Sequence, residues 1–184
     1  MSVPAASVPA APAGSATLAP FIMSDDAEGL IAFLVEVFGA VEVPQARTQD
    51  VDGLVLHSEL LVGDSLLTVA DRKPHWPYTP AFVRVYVDDV EATLERAVAR
   101  GARIVTEPTD VWGDVFSRFA DPYGHLWWVY KHNPTTLWDE PAGEEVWTEE
   151  VDLSWEAFAT PELTYLQATL LEAMDTLHDP RTQK

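Results

Sequence analysis

The chain has 184 residues, 47% of them hydrophobic, enough for one compact domain with extras or for two small units sharing a core. A formal net charge of −19 repels phosphate backbones, so no nucleic-acid partner is expected, and no stretch approaches the ~20 apolar residues of a membrane span. Cysteine is absent, which excludes disulfides, thiolate zinc sites and cysteine nucleophiles. Residues 1–16 set Pro4, Pro9 and Pro12 among small residues. That composition predicts a disordered tail. It has neither a basic start nor an unbroken apolar run, so it does not read as a secretion signal, and a cytoplasmic protein is expected.

From residue 17 to residue 132 the sequence repeats itself. Asp25-Asp26 lies over Asp88-Asp89. A strand-like stretch precedes each pair, Ala19–Ser24 and Phe82–Val87. A helix follows each, with apolar positions at Leu30, Ile31, Phe33, Leu34, Val37 and Phe38, and at Val90, Leu94, Ala97 and Val98. Spacings of three and four residues give one buried stripe per helix. Asp26 and Asp89 are placed to cap the helix starts, and Gly39 and Gly101 to end them in the left-handed conformation. Three strands follow each helix: Ala40–Val43, Leu54–Leu61 and Ser65–Ala70, then Arg103–Val105, Val115–Phe119 and Leu126–Tyr130. Val62-Gly63-Asp64 and Asp121-Pro122-Tyr123-Gly124 read as tight turns.

The predicted fold class is therefore α+β: two βαβββ modules, 17–72 and 81–132, joined by a linker, 73–80. An acidic extension, 133–184, carries Trp138, Trp147 and Trp155 and ends in a helix predicted over 160–178. Thr160 caps that helix, Pro161 suits its first position, and Leu163, Leu166, Leu170, Met174 and Leu177 form its stripe. Such a stripe needs a partner surface, on its own body or on a second subunit.

These residues resemble the vicinal-oxygen-chelate superfamily of glyoxalases, bleomycin-resistance proteins and dihydroxybiphenyl dioxygenases. Asp25-Asp26, Ala32-Phe33 and Phe38-Gly39 look like its first helix. His57-Ser58-Glu59-Leu60, Gly63-Asp64-Ser65 and Trp112-Gly113-Asp114 are similar to the branch around the phosphonate-operon B protein. So is Asp121-Pro122-Tyr123-Gly124-His125-Leu126-Trp127, which is close to that branch's Asp-Pro-Phe-Gly-His-x-Trp. The resemblance spans Leu18 to His132. It implies a curved mixed sheet around a cleft between the modules, and a homodimer, in some members with modules exchanged between chains.

In the metal-using members, donors from the first and last strands of both modules hold a divalent cation. The matching positions here are Ala19, Phe82, Leu67 and Trp128, none with a donor for a metal; a one-residue shift offers only Thr68. No metal and no other cofactor is expected. What replaces the metal is apolar and aromatic. Leu126, Trp128 and Tyr130 alternate along the last strand and share a face, which the resemblance turns toward the cleft, with Phe82 beside it. A flat hydrophobic or aromatic small molecule suits such a surface; the alternative is that the rings simply fill a shrunken cleft.

Polar candidates leave further readings open. His57 and Glu59, two apart on a strand, share a face and form a candidate acid–base pair, or a surface pair. Arg84 and Tyr86 share the face of Phe82, and Arg118 that of Phe116. Each arginine suits a ligand carboxylate, a ring or an acidic neighbour. His125 fits a turn-holding role. The loop His75-Trp76-Pro77-Tyr78 suits a lid or a dimer interface. The leading expectation is a metal-free binder of a hydrophobic or aromatic small molecule, in antibiotic resistance or natural-product biosynthesis. The rival is a metal-independent isomerase, cyclase or lyase using His57 and Glu59. A third reading relocates a metal to His57, Glu59 and His125.

Overall fold

A computed structural model describes residues 16–133 and 154–183. The expected tail and the acidic stretch with Trp138 and Trp147 lie outside the described residues. The chain divides into two compact units, Met1–Pro77 and Tyr78–Lys184.

The first unit holds β1 (Phe21–Ser24), α1 (Ala27–Phe38), β2 (Val41–Gln49), β3 (Val55–Val62) and β4 (Ser65–Asp71). Its mixed sheet runs β1-β4-β3-β2, with β1 parallel to β4 and the other pairs antiparallel. The Asp26 carboxylate accepts the Gly29 N–H at 2.8 Å, and Gly39 ends the helix at φ +67°. Leu30, Phe33, Leu34 and Val37 of α1 are fully buried, as the stripe requires.

The second unit repeats the plan with β5 (Phe82–Tyr86), α2 (Val90–Ala99), β6 (Arg103–Val111), β7 (Asp114–Ala120) and β8 (Leu126–Lys131). Its sheet order is β5-β8-β7-β6, again with the first pair parallel. Asp89 caps α2 through the Ala92 N–H at 2.9 Å. Two helices follow, α3 (Trp155–Phe158) and α4 (Pro161–Thr176), then a 3-10 turn, Pro180–Gln183. No helix among the described residues is long and apolar enough to cross a membrane.

The structure corrects the sequence at three places. β2 and β6 run to Gln49 and Val111, well past the expected Val43 and Val105. Each strand contains a proline, Pro44 or Pro108, and both strands are sheet edges. Each proline falls where the ladder skips, between Val43 and Thr48 or between Thr106 and Thr109, so its missing N–H leaves no partner wanting. Helix α4 stops at Thr176, short of 178, where Leu177 turns to extended backbone at φ −72° and ψ 123°. Its inward face holds Leu166 and Ala173, at 9% and 2% exposure, while Met174 of the expected stripe is 47% exposed. The extension's partner surface is its own second module: α4 lies on β6, and Ala173 packs with Ala120 and Leu126.

Candidate ligand-binding site

Strand register gathers the second module's candidates on one face. Phe82 pairs with Leu126, Arg84 with Trp128 and Tyr86 with Tyr130; Phe116 and Arg118 of β7 oppose Tyr130 and Trp128. Directly paired residues project to the same side. The opposite side carries Phe119, Trp127 and Val129, all nearly fully buried. Seven sequence candidates (Phe82, Arg84, Tyr86, Arg118, Leu126, Trp128 and Tyr130) thus share one surface.

Helix α4 divides that surface. Leu126 is fully buried, and Trp128 packs against the cluster it forms with Ala120 and Ala173. Arg118 is 6% exposed. Its guanidinium lies 4.6 Å from the Phe116 ring centre and 5.2 Å from that of Trp128, and Nη1 donates to the Leu166 carbonyl at 2.7 Å and to Thr106 Oγ1 at 3.2 Å. Its Nε has no partner. Burial pulls its pKa down to about 10, so it stays charged near neutrality. Phe82 stands 48% exposed, edge-on to Trp128 at 5.9 Å.

Beyond the helix the face opens into a pocket of about 770 Å³, within the range that holds drug-sized ligands. Tyr86, Phe116 and Tyr130 form its floor, Leu163 and Leu166 of α4 one wall, and Val111 and Trp112 of the β6–β7 hairpin contribute as well. Arg84 enters with its guanidinium 5.5 Å from the Tyr86 ring centre and 5.4 Å from that of Tyr130. Burial raises the Tyr130 hydroxyl pKa, outweighing the pull of Arg84 and Arg118, so it remains a donor at neutral pH. Asp114 also lines the pocket, but its carboxylate already accepts from His132 Nδ1 at 3.1 Å and from the Asn133 N–H at 2.9 Å.

The sequence did not single out Trp112, Leu163 or Leu166 as pocket residues. The signal for the leucines was present, as a stripe in want of a partner. For Trp112 it was the Trp-Gly turn. Both central residues of that turn have positive φ, +55° at Trp112 and +95° at Gly113, as a type I′ hairpin turn requires. A bulky residue rarely occupies such a position.

In the first module, His57 Nε2 and Glu59 Oε1 meet at 3.2 Å, and Phe21 stands edge-on to the imidazole at 6.3 Å. Leu67 turns away from this side. Asp71, of the same strand parity, accepts the Ala27 N–H at the start of α1 (2.8 Å) and the Val55 N–H (2.6 Å). Leu67 therefore faces α1 and is 4% exposed. Thr68, paired with Phe21, holds the place that Trp128, paired with Arg84, holds in the second module. The β3–β4 turn is shorter than the β7–β8 turn, so counting from the turn glycines slips by one.

The donor set does not fit a divalent cation. Corrected for register, the four superfamily positions are Ala19, Phe82, Thr68 and Trp128, with one hydroxyl among them. Among the described residues no three His, Asp or Glu side chains are close enough to hold an ion. His125 is fully buried. Its Nδ1 accepts the Ala81 N–H at 3.1 Å, and burial pushes its pKa down to about 4, which fits the turn-holding role. Tyr78 of the linker loop also holds this turn, through its hydroxyl on the Gly124 carbonyl. A Cβ on Gly124 would lie 2.8 Å from that hydroxyl oxygen, so only glycine fits.

A profile of the Glyoxalase/Bleomycin resistance protein/Dioxygenase superfamily matches residues 16–129, and the chain belongs to that superfamily. An uncharacterized protein of Mycobacterium tuberculosis is 34% identical over 122 residues, covering 60% of this chain and 71% of that protein. The crystal structure of TioX from Micromonospora sp. ML1 is similar at TM-score 0.52 and 28% identity, covering 63% of this chain and 98% of that one. The FosX fosfomycin resistance protein of Listeria monocytogenes shares the fold at TM-score 0.51 and 18% identity, covering 65% and 94%. The superfamily match ends at residue 129, before the C-terminal extension.

Proposed function

We propose that this protein binds a hydrophobic, aromatic small molecule without a metal, in the pocket between its second sheet and α4. The carrying observation is the wall chemistry: Tyr86, Tyr130 and Trp112 line the pocket with aromatic surface, buried Phe116 backs it, and Leu163 and Leu166 add apolar lining from a helix of the same unit. Rings supply large contact area at low entropic cost. Sequestration of a drug or of a natural-product intermediate, by a cytoplasmic homodimer, is the role we assign. Its support is the superfamily and the fosfomycin-resistance function named for the Listeria relative. We place the chain nearest the phosphonate-operon B branch on the run Asp121 to Trp127.

Titration of aromatic antibiotics against intrinsic tryptophan fluorescence tests the proposal. Saturable quenching with micromolar affinity, weakened at least ~10-fold by Tyr130→Ala, is expected. No binding at high micromolar concentration overturns it, and a stoichiometric divalent cation in the purified protein overturns the metal-free part. The contact between His57 and Glu59 favours a second reading, a metal-independent isomerase, cyclase or lyase. Turnover lost in His57→Ala with ligand affinity kept would establish that reading.

A further inference from the structure

We infer that the ligand carries an anionic group, a carboxylate, sulfonate or phosphonate on an aromatic frame, and that Arg84 is the residue that receives it. This rests on the pocket being the ligand site. In a chain with 30 acids and 11 lysines and arginines, an arginine has carboxylates in abundance. Yet among the described residues neither Arg84 nor Arg118 meets one; their guanidinium groups lie against tyrosine, phenylalanine and tryptophan rings instead. The carboxylate lining the same pocket, Asp114, is engaged with His132 and Asn133.

The two arginines have different tasks. Arg118 sits under α4, with an unpartnered Nε and, among the described residues, no balancing carboxylate. It adds positive potential beneath Phe116, where low polarity weakens screening. Arg84 borders open space. Its position over Tyr86 and Tyr130 pre-orients a planar fork that suits two oxygens of one anionic group, while the ligand's ring system meets the aromatic floor. Arene and anion are thus recognised side by side. The strongly negative whole-chain charge opposes anions elsewhere on the surface, which confines the preference to this spot.

A matched probe pair tests this: 1-anilinonaphthalene-8-sulfonate and N-phenyl-1-naphthylamine, the same rings with and without the sulfonate. Their dissociation constants are measured by fluorescence at low salt, in the full chain and in Arg84→Met and Arg84→Lys. The sulfonate should bind at least ~10-fold more tightly than the neutral probe in the wild type. Arg84→Met should bring the ratio close to one, and Arg84→Lys should leave it in between. Because the readout is a ratio within each protein, a general loss of folding cannot mimic the result. Equal affinities in the wild type, or a ratio untouched by Arg84→Met, overturn the inference and leave the aromatic pocket standing. Failure of both probes to bind overturns the pocket reading as well.

Discussion

Arg118 Nη1 donates to the Leu166 carbonyl at 2.7 Å, tying the centre of the second sheet to a helix 48 residues further along the chain. The contact is flanked by the Thr106–Thr169 hydroxyl pair at 2.8 Å and by the Glu107 N–H on the Tyr165 hydroxyl at 3.1 Å. Helix α4 is therefore part of the second unit, and it converts an open sheet face into a walled pocket.

A buried cation with an unpartnered Nε contributes little net stability, since desolvation offsets most of what its contacts supply. Arg118→Met keeps the bulk over Phe116 and Trp128 and should lie within ~1 kcal/mol of the wild type, whereas Arg118→Ala leaves a void under α4 and should cost ~2–4 kcal/mol. Urea unfolding measures both. Equal losses would show that the charge, rather than the volume, holds the helix.

The docking of α4 has its own test. Ala173 is 2% exposed against Ala120 and Leu126, and Met174 beside it is 47% exposed. Ala173→Leu should overpack the contact and cost ~1–3 kcal/mol, while Met174→Ala should stay within ~0.5 kcal/mol. The reverse order would place the helix the other way round.

Trp112 sits at φ +55°, where asparagine is at ease and tryptophan is strained. Trp112→Asn should raise stability by ~1 kcal/mol. It should also weaken the aromatic probe ~5-fold, because a ring contact worth ~1 kcal/mol is lost. A variant more stable and equally good at binding would remove Trp112 from the site.

The β7–β8 turn predicts a compensated response to acid. Burial lowers the His125 pKa to about 4 from 6.5, so folded protein binds fewer protons than unfolded chain between those values, and acidification through that window destabilises. Burial raises the Asp121 pKa to about 6 from 3.8, against the pull of Trp127 Nε1 and the backbone N–H groups it accepts from, so the same acidification stabilises through it. His125→Asn keeps an acceptor near Nδ1 but does not titrate. Its stability deficit relative to the wild type should shrink by ~3 kcal/mol between pH 7 and pH 4, read from urea midpoints. A constant deficit would mean that His125 is not held neutral.

Asp25-Asp26 and Asp88-Asp89, the stripes behind them and the glycines after them fixed both βαβββ plans from sequence, because capping, periodicity and positive φ are local properties. Alternation also grouped Phe82, Arg84 and Tyr86 on one strand and Trp128 and Tyr130 on another, and the resemblance set the two groups side by side, without knowledge of what covers them. The run Asp121 to Trp127, read as a family signature, proves to be a self-contained turn: Asp121 accepts the N–H groups of Tyr123 and His125 at 2.9 Å and Trp127 Nε1 at 2.7 Å. Register and docking were decided by tertiary structure alone. Whether Leu67 or Thr68 matches Trp128 depends on strand pairing across a turn, and whether α4 buries Leu126 or leaves it to a ligand depends on contacts between residues far apart in the chain. Such contacts are energetic outcomes of the whole packing and leave no periodic trace in the sequence.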